Sequence, residues 1–273
     1  MQRTPAWYAA RKGRLTASNF GMAAGVNKYE SRQKGLKRAL GEDTFTGNDA
    51  TRHGVKNEPN AIIDYQIKTG NLVRSFGLKL HPEYDWLGGS PDGLVGTRGL
   101  IEVKCPFFDQ TPHKEIPVHY YCQVNGLMEI FDRDWCDFVS WTPQNGMKIY
   151  RVYRDPALWD FLLGKYTSFY AAMRRGCNTF PRQQTGEKEE TLSLIADSQA
   201  QMVDMEFWGG DLTTLVGGWD GPFDDPYLSE DSSKEEEDYG ASPFWHVCRP
   251  PCTSAQPRTS PNRQVHGMPP SPV

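Results

Sequence analysis

Long hydrophobic runs are missing from this chain. No stretch of about 18 consecutive apolar residues occurs, so no membrane-spanning helix is expected. Residues 1–30 lack the apolar core of about 7–15 residues that a secretory signal needs. Paired cysteines are missing too. The six cysteines, at 105, 122, 136, 177, 248 and 252, form no CxxC pair, which removes support for a zinc ribbon and favours reduced thiols in an intracellular compartment. His53, His81, His113 and His119 do not have zinc-ligand spacing and read as single surface or core histidines. Internal repeats are absent as well. Acidic residues are lacking from the first 29 positions, which carry five Lys or Arg, a pattern shared with mitochondrial transit peptides.

What is present is a polar, charged chain with an uneven charge distribution. Apolar residues make up 38% and charged residues 23% of its 273 residues, the composition of a soluble protein. The net charge of −4 divides into +6 over residues 1–176 and −10 over 177–273. A basic globular part points to a polyanionic partner, and an acidic tail to regulation or solvation. From Ser242 to Val273 there are eight prolines and few large apolar residues, too little to offset chain entropy, so disorder is expected. Asp231 to Asp238 is an acidic run of the same kind. The folded domain is placed at 1–180, a linker with a helix over Glu187–Glu206 at 181–218, and an acidic then Pro-rich tail at 219–273.

Within the domain the periodicity alternates between helix and strand. Thr16 and Ser18 read as capping hydroxyls for a helix start. Residues 49–69 read as a helix with Ala61, Ile62, Tyr65 and Ile67 on its apolar face and Gly70 as C-cap, or with Pro59 opening a fresh segment. Strand-like stretches follow at Leu72–Leu80, Trp86–Gly89, Asp92–Val95 and Leu100–Cys105. A helix is predicted over Pro117–Phe131 with Val118, Tyr121, Val124, Leu127 and Met128 on one face. Two strands at Asp137–Trp141 and Lys148–Tyr153 precede an amphipathic helix over Pro156–Arg175. This order predicts a mixed α/β fold, one central mixed sheet flanked by helices.

The chemistry concentrates in residues 88–106. Gly96-Thr-Arg-Gly99 signals a tight turn between two strand runs. Glu102 and Lys104, two apart, share one face of a strand, and Val103 points the other way into the core. A three-residue loop sets Asp92 opposite Glu102 and Ser90 opposite Lys104, whereas a two-residue loop shifts that register by one. Two close carboxylates repel unless a cation joins them, and hard oxygen ligands favour Mg2+ or Mn2+ over zinc. The Val103 carbonyl offers another oxygen. Lys104 lies where it can hold or deprotonate a water. On Glu-x-Lys alone a surface hairpin with an ordinary ion pair explains as much; the Ser-Pro-Asp-Gly turn and the apolar Leu100, Ile101 and Val103 shift the balance towards a site.

Asp92-x9-Glu102-x-Lys104 on a hairpin resembles the PD-(D/E)XK nuclease core. Gly89-Ser-Pro-Asp-Gly93 with Ile101-Glu-Val-Lys-Cys-Pro106 resembles, more narrowly, the lambda-exonuclease/YqaJ viral-recombinase family. Trp7 with Arg11-Lys-Gly-Arg-Leu-Thr-Ala-Ser18, Gly54-x3-Glu58-x2-Ala61-x3-Tyr65, and Tyr120-Tyr-Cys-Gln123 match it in chain order. The resemblance covers residues 5–155 and implies a restriction-endonuclease-like core. It implies that Asp92, Glu102 and the Val103 carbonyl bind Mg2+, for which Mn2+ substitutes. It implies that Lys104 orients the nucleophilic water and that Glu58 binds a second metal or a water. Arg11, Ser18, Ser90 and Gln123 match positions that hold a terminal 5′-phosphate. Transit cleavage would remove residues of that site, so nucleus or cytoplasm is expected over the mitochondrion.

The resemblance further implies 5′-to-3′ degradation of 5′-phosphorylated double-stranded DNA ends to mononucleotides, with a homotrimer and a single-strand annealing protein as partners. Basic residues Arg32, Lys34, Lys37, Arg38, Arg52 and Lys56 are candidates for tracking backbone phosphates. Cys105, although next to Lys104, reads as a buried thiol. The alternatives are a non-catalytic DNA-end binder serving recombination and a structure-specific or nicking endonuclease on the same core. For the acidic tail, one expectation is a DNA mimic that occupies the basic channel.

Overall fold

Val95 and Gly99 close an antiparallel hairpin around the three-residue loop 96–98, in which Gly96 has φ +54°, a conformation that favours glycine. In this computed structural model, which describes residues 2–42, 47–177, 179–184 and 186–205, the hairpin sits inside a six-stranded sheet. Its strands are β5 (Gly93–Val95) and β6 (Gly99–Lys104), with Gly93 opposite Ile101. β2 (Val73–Arg74) borders β5, and β7 (Trp135–Thr142), β8 (Gly146–Tyr153) and β9 (Val203–Asp204) continue beyond β6. All pairs are antiparallel except β6 with β7, which run parallel from Gly99–Trp135 to Lys104–Ser140. A parallel pair needs a long crossover, and helix α5 (Val118–Phe131) supplies it. A second sheet of three short strands places β4 (Leu87–Gly89) between β1 (Leu15–Thr16) and β3 (Lys79–Leu80). The mixed α/β class is as expected; the second sheet is additional, and the stretch expected as one strand from Leu72 to Leu80 is divided between the two sheets.

Two apolar layers cover the large sheet. On one side Leu94, Leu100, Phe138 and Tyr150 pack with α2 (Phe20–Ala23), α5 and α6 (Pro156–Arg174). On the other, Val95, Ile101, Val103, Val139 and Ile149 pack against Ala61 and Tyr65 of α4 (Asp49–Thr69). Alternation along β6 therefore sends Ile101 and Val103 to α4, and Leu100, Glu102 and Lys104 to the α5 side. α4 is one continuous helix with Pro59 inside it and Gly70 as its left-handed cap. Of its expected apolar face, Ala61 and Tyr65 are buried, but Ile67 is 78% exposed. Tyr65 donates to Asp137 Oδ2 at 2.7 Å, and Arg151 grips both oxygens of Asp137 at 2.8 and 2.9 Å. This buried network fastens α4 to the sheet.

α5 is buried on nearly every face from Tyr121 to Phe131, not on one stripe. It lies between the sheets and three helices, α2, α6 and α7 (Glu187–Gln199), so its polar residues are internal as well. Gly21 of α2 permits the closest approach: a Cβ there would stand 2.5 Å from the His119 backbone.

Folded structure extends past residue 180, where a linker was expected. Thr191, Ile195 and Ser198 of α7 are buried, Ser198 Oγ meets Tyr121 Oη at 3.0 Å, and β9 pairs with β8. The helix stops at Gln199, short of the expected Glu206. The acidic run and the Pro-rich tail, 219–273, lie outside the described residues.

Candidate active site

The β5–β6 loop length decides the site. With three loop residues the register ends at Gly93 opposite Ile101, which brings Asp92 beside Glu102, and the Val103 amide donates to Asp92 Oδ2 at 2.7 Å. Val103 joins through its backbone, its side chain remaining in the α4 layer. Glu102 is 2% exposed. Its Oε1 accepts from Lys104 Nζ at 2.5 Å and from Gln123 Nε2, one turn into α5, at 2.7 Å. Its Oε2 is buried without a hydrogen-bond partner. Lys104 Nζ also lies 4.7 Å from the centre of the Tyr120 ring.

Charges in this cluster act strongly on one another. Burial, then the neighbouring Glu102 and Glu58, hold the Asp92 carboxyl well above the usual range. Burial raises Glu102 as well, against the pull of Lys104. Burial opposes the Lys104 ammonium, but Glu102 and Asp92 beside it prevail and push its pKa up. Cys105 is half-buried, not the fully buried thiol expected, and burial, then Asp92 and Glu58, push its pKa up to about 12. His119 falls to about 4 through burial and the nearby Lys104 and Lys28.

Glu58 of α4 reaches the same neighbourhood, where Arg3 Nη2 pairs with its Oε2 at 2.5 Å. Among the described residues no three His, Cys, Asp or Glu side chains converge into a ready ion cage. The donor set nevertheless fits a small hard cation. Two neighbouring carboxylates are hard oxygens, one oxygen of Glu102 lacks a partner, and Asp92 carries a burden of like charge that a divalent ion would lift.

The residues matched to a phosphate pocket gather around the N-terminal helix and Ser90. α1 (Pro5–Arg11) carries Trp7 and Arg11 one turn apart, and the Arg11 guanidinium lies 4.2 Å above the Trp7 ring. Arg11 Nη2 donates to Thr16 Oγ1 at 2.8 Å and to Ser18 Oγ at 3.0 Å. Trp7 Nε1 donates to Ser90 Oγ at 2.9 Å. Thus Arg11, Ser18 and Ser90 are joined through Trp7, while Gln123 is held by Glu102. Thr16 and Ser18 are not the expected helix caps, since neither makes a side-chain capping bond at the 3-10 turn Ala17–Asn19. Sequence reasoning gave Thr16 only a capping role and Tyr120 only a place in a matched motif, and it assigned no role to Arg3. The four-residue spacing of Trp7 and Arg11 was the available signal for their stacking. The basic candidates on α3 (Arg32–Ala39) and α4 divide: Arg32 pairs with Glu187, Arg38 with Glu30 and Arg52 with Asp49, leaving Lys34, Lys37 and Lys56 exposed.

Residues 6–134 match the YqaJ-like viral recombinase domain. An alkaline exonuclease from Laribacter hongkongensis is 31% identical, with a TM-score of 0.54, and the match covers 71% of this chain and 99% of that one. A second structure of that enzyme, in complex with dAMP, gives 30% identity and a TM-score of 0.55 over the same shares. An uncharacterized protein of Acanthamoeba polyphaga mimivirus is 24% identical over 157 residues, 51% of this chain but only 29% of that protein. A match at 31% identity over nearly the whole length of a solved relative means that the chain belongs to the YqaJ-like, lambda-exonuclease-type viral recombinase family.

Proposed function

We propose that this chain is a Mg2+-dependent DNA exonuclease that removes mononucleotides from 5′-phosphorylated ends of linear duplex DNA, in the 5′-to-3′ direction, for end resection in recombination or repair. The observation that carries the reading is the β-hairpin centre: Asp92 accepts from the Val103 amide close beside Glu102, Lys104 donates to Glu102, and Glu102 Oε2 is left without a partner. Membership with alkaline exonucleases supports the nuclease class. The dAMP in the Laribacter enzyme supports a single nucleotide as product.

Asp92, Glu102 and the Val103 carbonyl would hold Mg2+, or Mn2+ in its place, with Glu58 close enough to assist. Such an ion lowers the pKa of water and screens the negative charge that builds on a phosphodiester under attack. Lys104 acts as a donor: with its pKa raised by Glu102 and Asp92 it stays an ammonium and orients the attacking water. Arg11, Ser18 and Ser90 receive the terminal 5′-phosphate, Arg11 through its planar fork and the serines through their hydroxyls. The Trp7 ring under Arg11 fixes the fork in place. Gln123 orients Glu102. Protonation or a bound ion would relieve the repulsion between the two carboxylates.

A substrate panel tests the proposal. Linear duplex with 5′-phosphate should be degraded in Mg2+, the same duplex with 5′-hydroxyl more slowly, and covalently closed circles not at all. Equal rates on both kinds of end would remove the phosphate pocket. Cleavage of circles would move the assignment to an endonuclease. Binding of DNA ends without degradation would leave a non-catalytic end binder.

A further inference from the structure

Arg3 occupies an unusual place. It is a non-glycine residue with φ +63°, in the left-handed region that side chains rarely adopt. Its backbone is set there by its neighbours. Gln2 Nε2 donates to the Phe76 carbonyl at 3.1 Å and to the Pro91 carbonyl at 2.7 Å, and Thr4 caps α1 by accepting from the Trp7 amide at 3.2 Å. Pro91 directly precedes Asp92. The strap of residues 2–4 is thereby tied to the edge of the carboxylate centre, and the Arg3 guanidinium points inward to Glu58.

Glu58, Asp92 and Glu102 are near enough to burden one another electrostatically, yet among the described residues two cations pair with them. Lys104 serves Glu102, and Arg3 serves Glu58 while feeling Asp92 as well. These are the carboxylates to which the nuclease reading assigns divalent ions. We propose that Arg3 is a tethered counter-cation of the carboxylate centre: it neutralises Glu58 while no divalent ion does, leaving the Asp92 charge only partly offset, and ion entry requires it to release Glu58. The inference rests on the metal-site reading above and adds a positioning residue to it. Arg3 acts through Glu58, sets the affinity for the ion, and is freed as a cation beside the substrate path when the ion enters. Its half-exposed side chain, 41% accessible, has room to swing outward.

The test is calorimetric titration of Mn2+ alone into the full chain without DNA. Arg3→Asn removes the charge with a side chain that tolerates the left-handed backbone. It should bind Mn2+ about threefold to tenfold more tightly than the wild type, the scale for releasing one partly exposed ion pair. Arg3→Lys restores a cation on the same backbone and should return the affinity to near the wild-type value. A merely structural Arg3 would change melting temperature without this gain and rescue. An Asn variant that binds Mn2+ no more tightly than the wild type overturns the inference. Asp92→Asn is the control. If it loses the binding that the wild type shows while Arg3→Asn gains none, the tethered cation alone fails. If wild type and Asp92→Asn titrate alike, the metal site fails and the inference with it.

Discussion

Asp92 ionises in a half-buried position beside two further carboxylates, and the fold bears the consequence. Its folded pKa lies above its unfolded value, so above about pH 4 the native state holds more protons than the unfolded state, and stability falls with rising pH until the folded value is passed. Asparagine keeps an acceptor for the Val103 amide and removes the charge. In chelator at neutral pH, Asp92→Asn should therefore be more stable than the wild type by about 0.5–2 kcal/mol, read by urea denaturation. The gain should shrink below about pH 4, where both states of the wild type are protonated. A less stable variant at neutral pH would show that Asp92 is instead well compensated by Arg3 and Lys104. Gln123 allows a second expectation at this scale. Gln123→Leu leaves Glu102 with one donor fewer in a buried position, so nuclease turnover should fall while the fold survives, α5 being apolar around that point. Undiminished turnover would mean that Gln123 does not orient Glu102.

The hairpin, α4 and α5 bring the site together, and two glycines report on how tightly elements pack. Gly21→Ala would drive a methyl into the His119 backbone of α5 and should destabilise by about 1–3 kcal/mol. Gly164→Ala, exposed inside α6 with open space around it, should stabilise by about 0.5–1 kcal/mol. Denaturant midpoints of the two variants should move in opposite directions; shifts of the same sign would contradict the packing described. The long helices and the hairpin were legible because their signals are local. Gly70 and Gly96 supply left-handed turns, and Ile101 and Val103 alternate with Glu102 and Lys104. The burial of α5 on all sides was not legible, because it is decided by α2, α6 and α7 arriving from distant sequence. Nor was the packing of α7, whose apolar residues are few and whose anchors are polar, Ser198 on Tyr121 and Gln199 on the Ile116 carbonyl. At the site, Asp92, Glu102 and Lys104 follow from strand periodicity and loop length. The contacts Trp7–Ser90, Gln123–Glu102 and Arg3–Glu58 join separate elements, and no local spacing encodes them.

At the scale of the molecule, the surplus of six positive charges over residues 1–176 faces a deficit of ten over 177–273. Since α7 and β9 belong to the folded domain, a cut after residue 180 would unroof Tyr121 and the β8 edge. A cut after Met205 removes only residues beyond the described fold. If the acidic segment competes for the DNA surface, that truncation should raise affinity for duplex DNA, most clearly at low salt, where charge contacts are least screened. Unchanged affinity at all salt concentrations would remove the DNA-mimic idea. The central claim, that Asp92 and Glu102 bind an ion that Lys104 assists, is tested most directly by mononucleotide release from 5′-phosphorylated linear duplex over a Mg2+ titration. The wild type should be inactive in chelator and saturate with Mg2+, whereas Glu102→Ala and Lys104→Ala, folded as judged by circular dichroism, should each lose at least about 100-fold in rate at every Mg2+ concentration. Activity of the wild type in chelator, or wild-type rates in Glu102→Ala, would contradict the account.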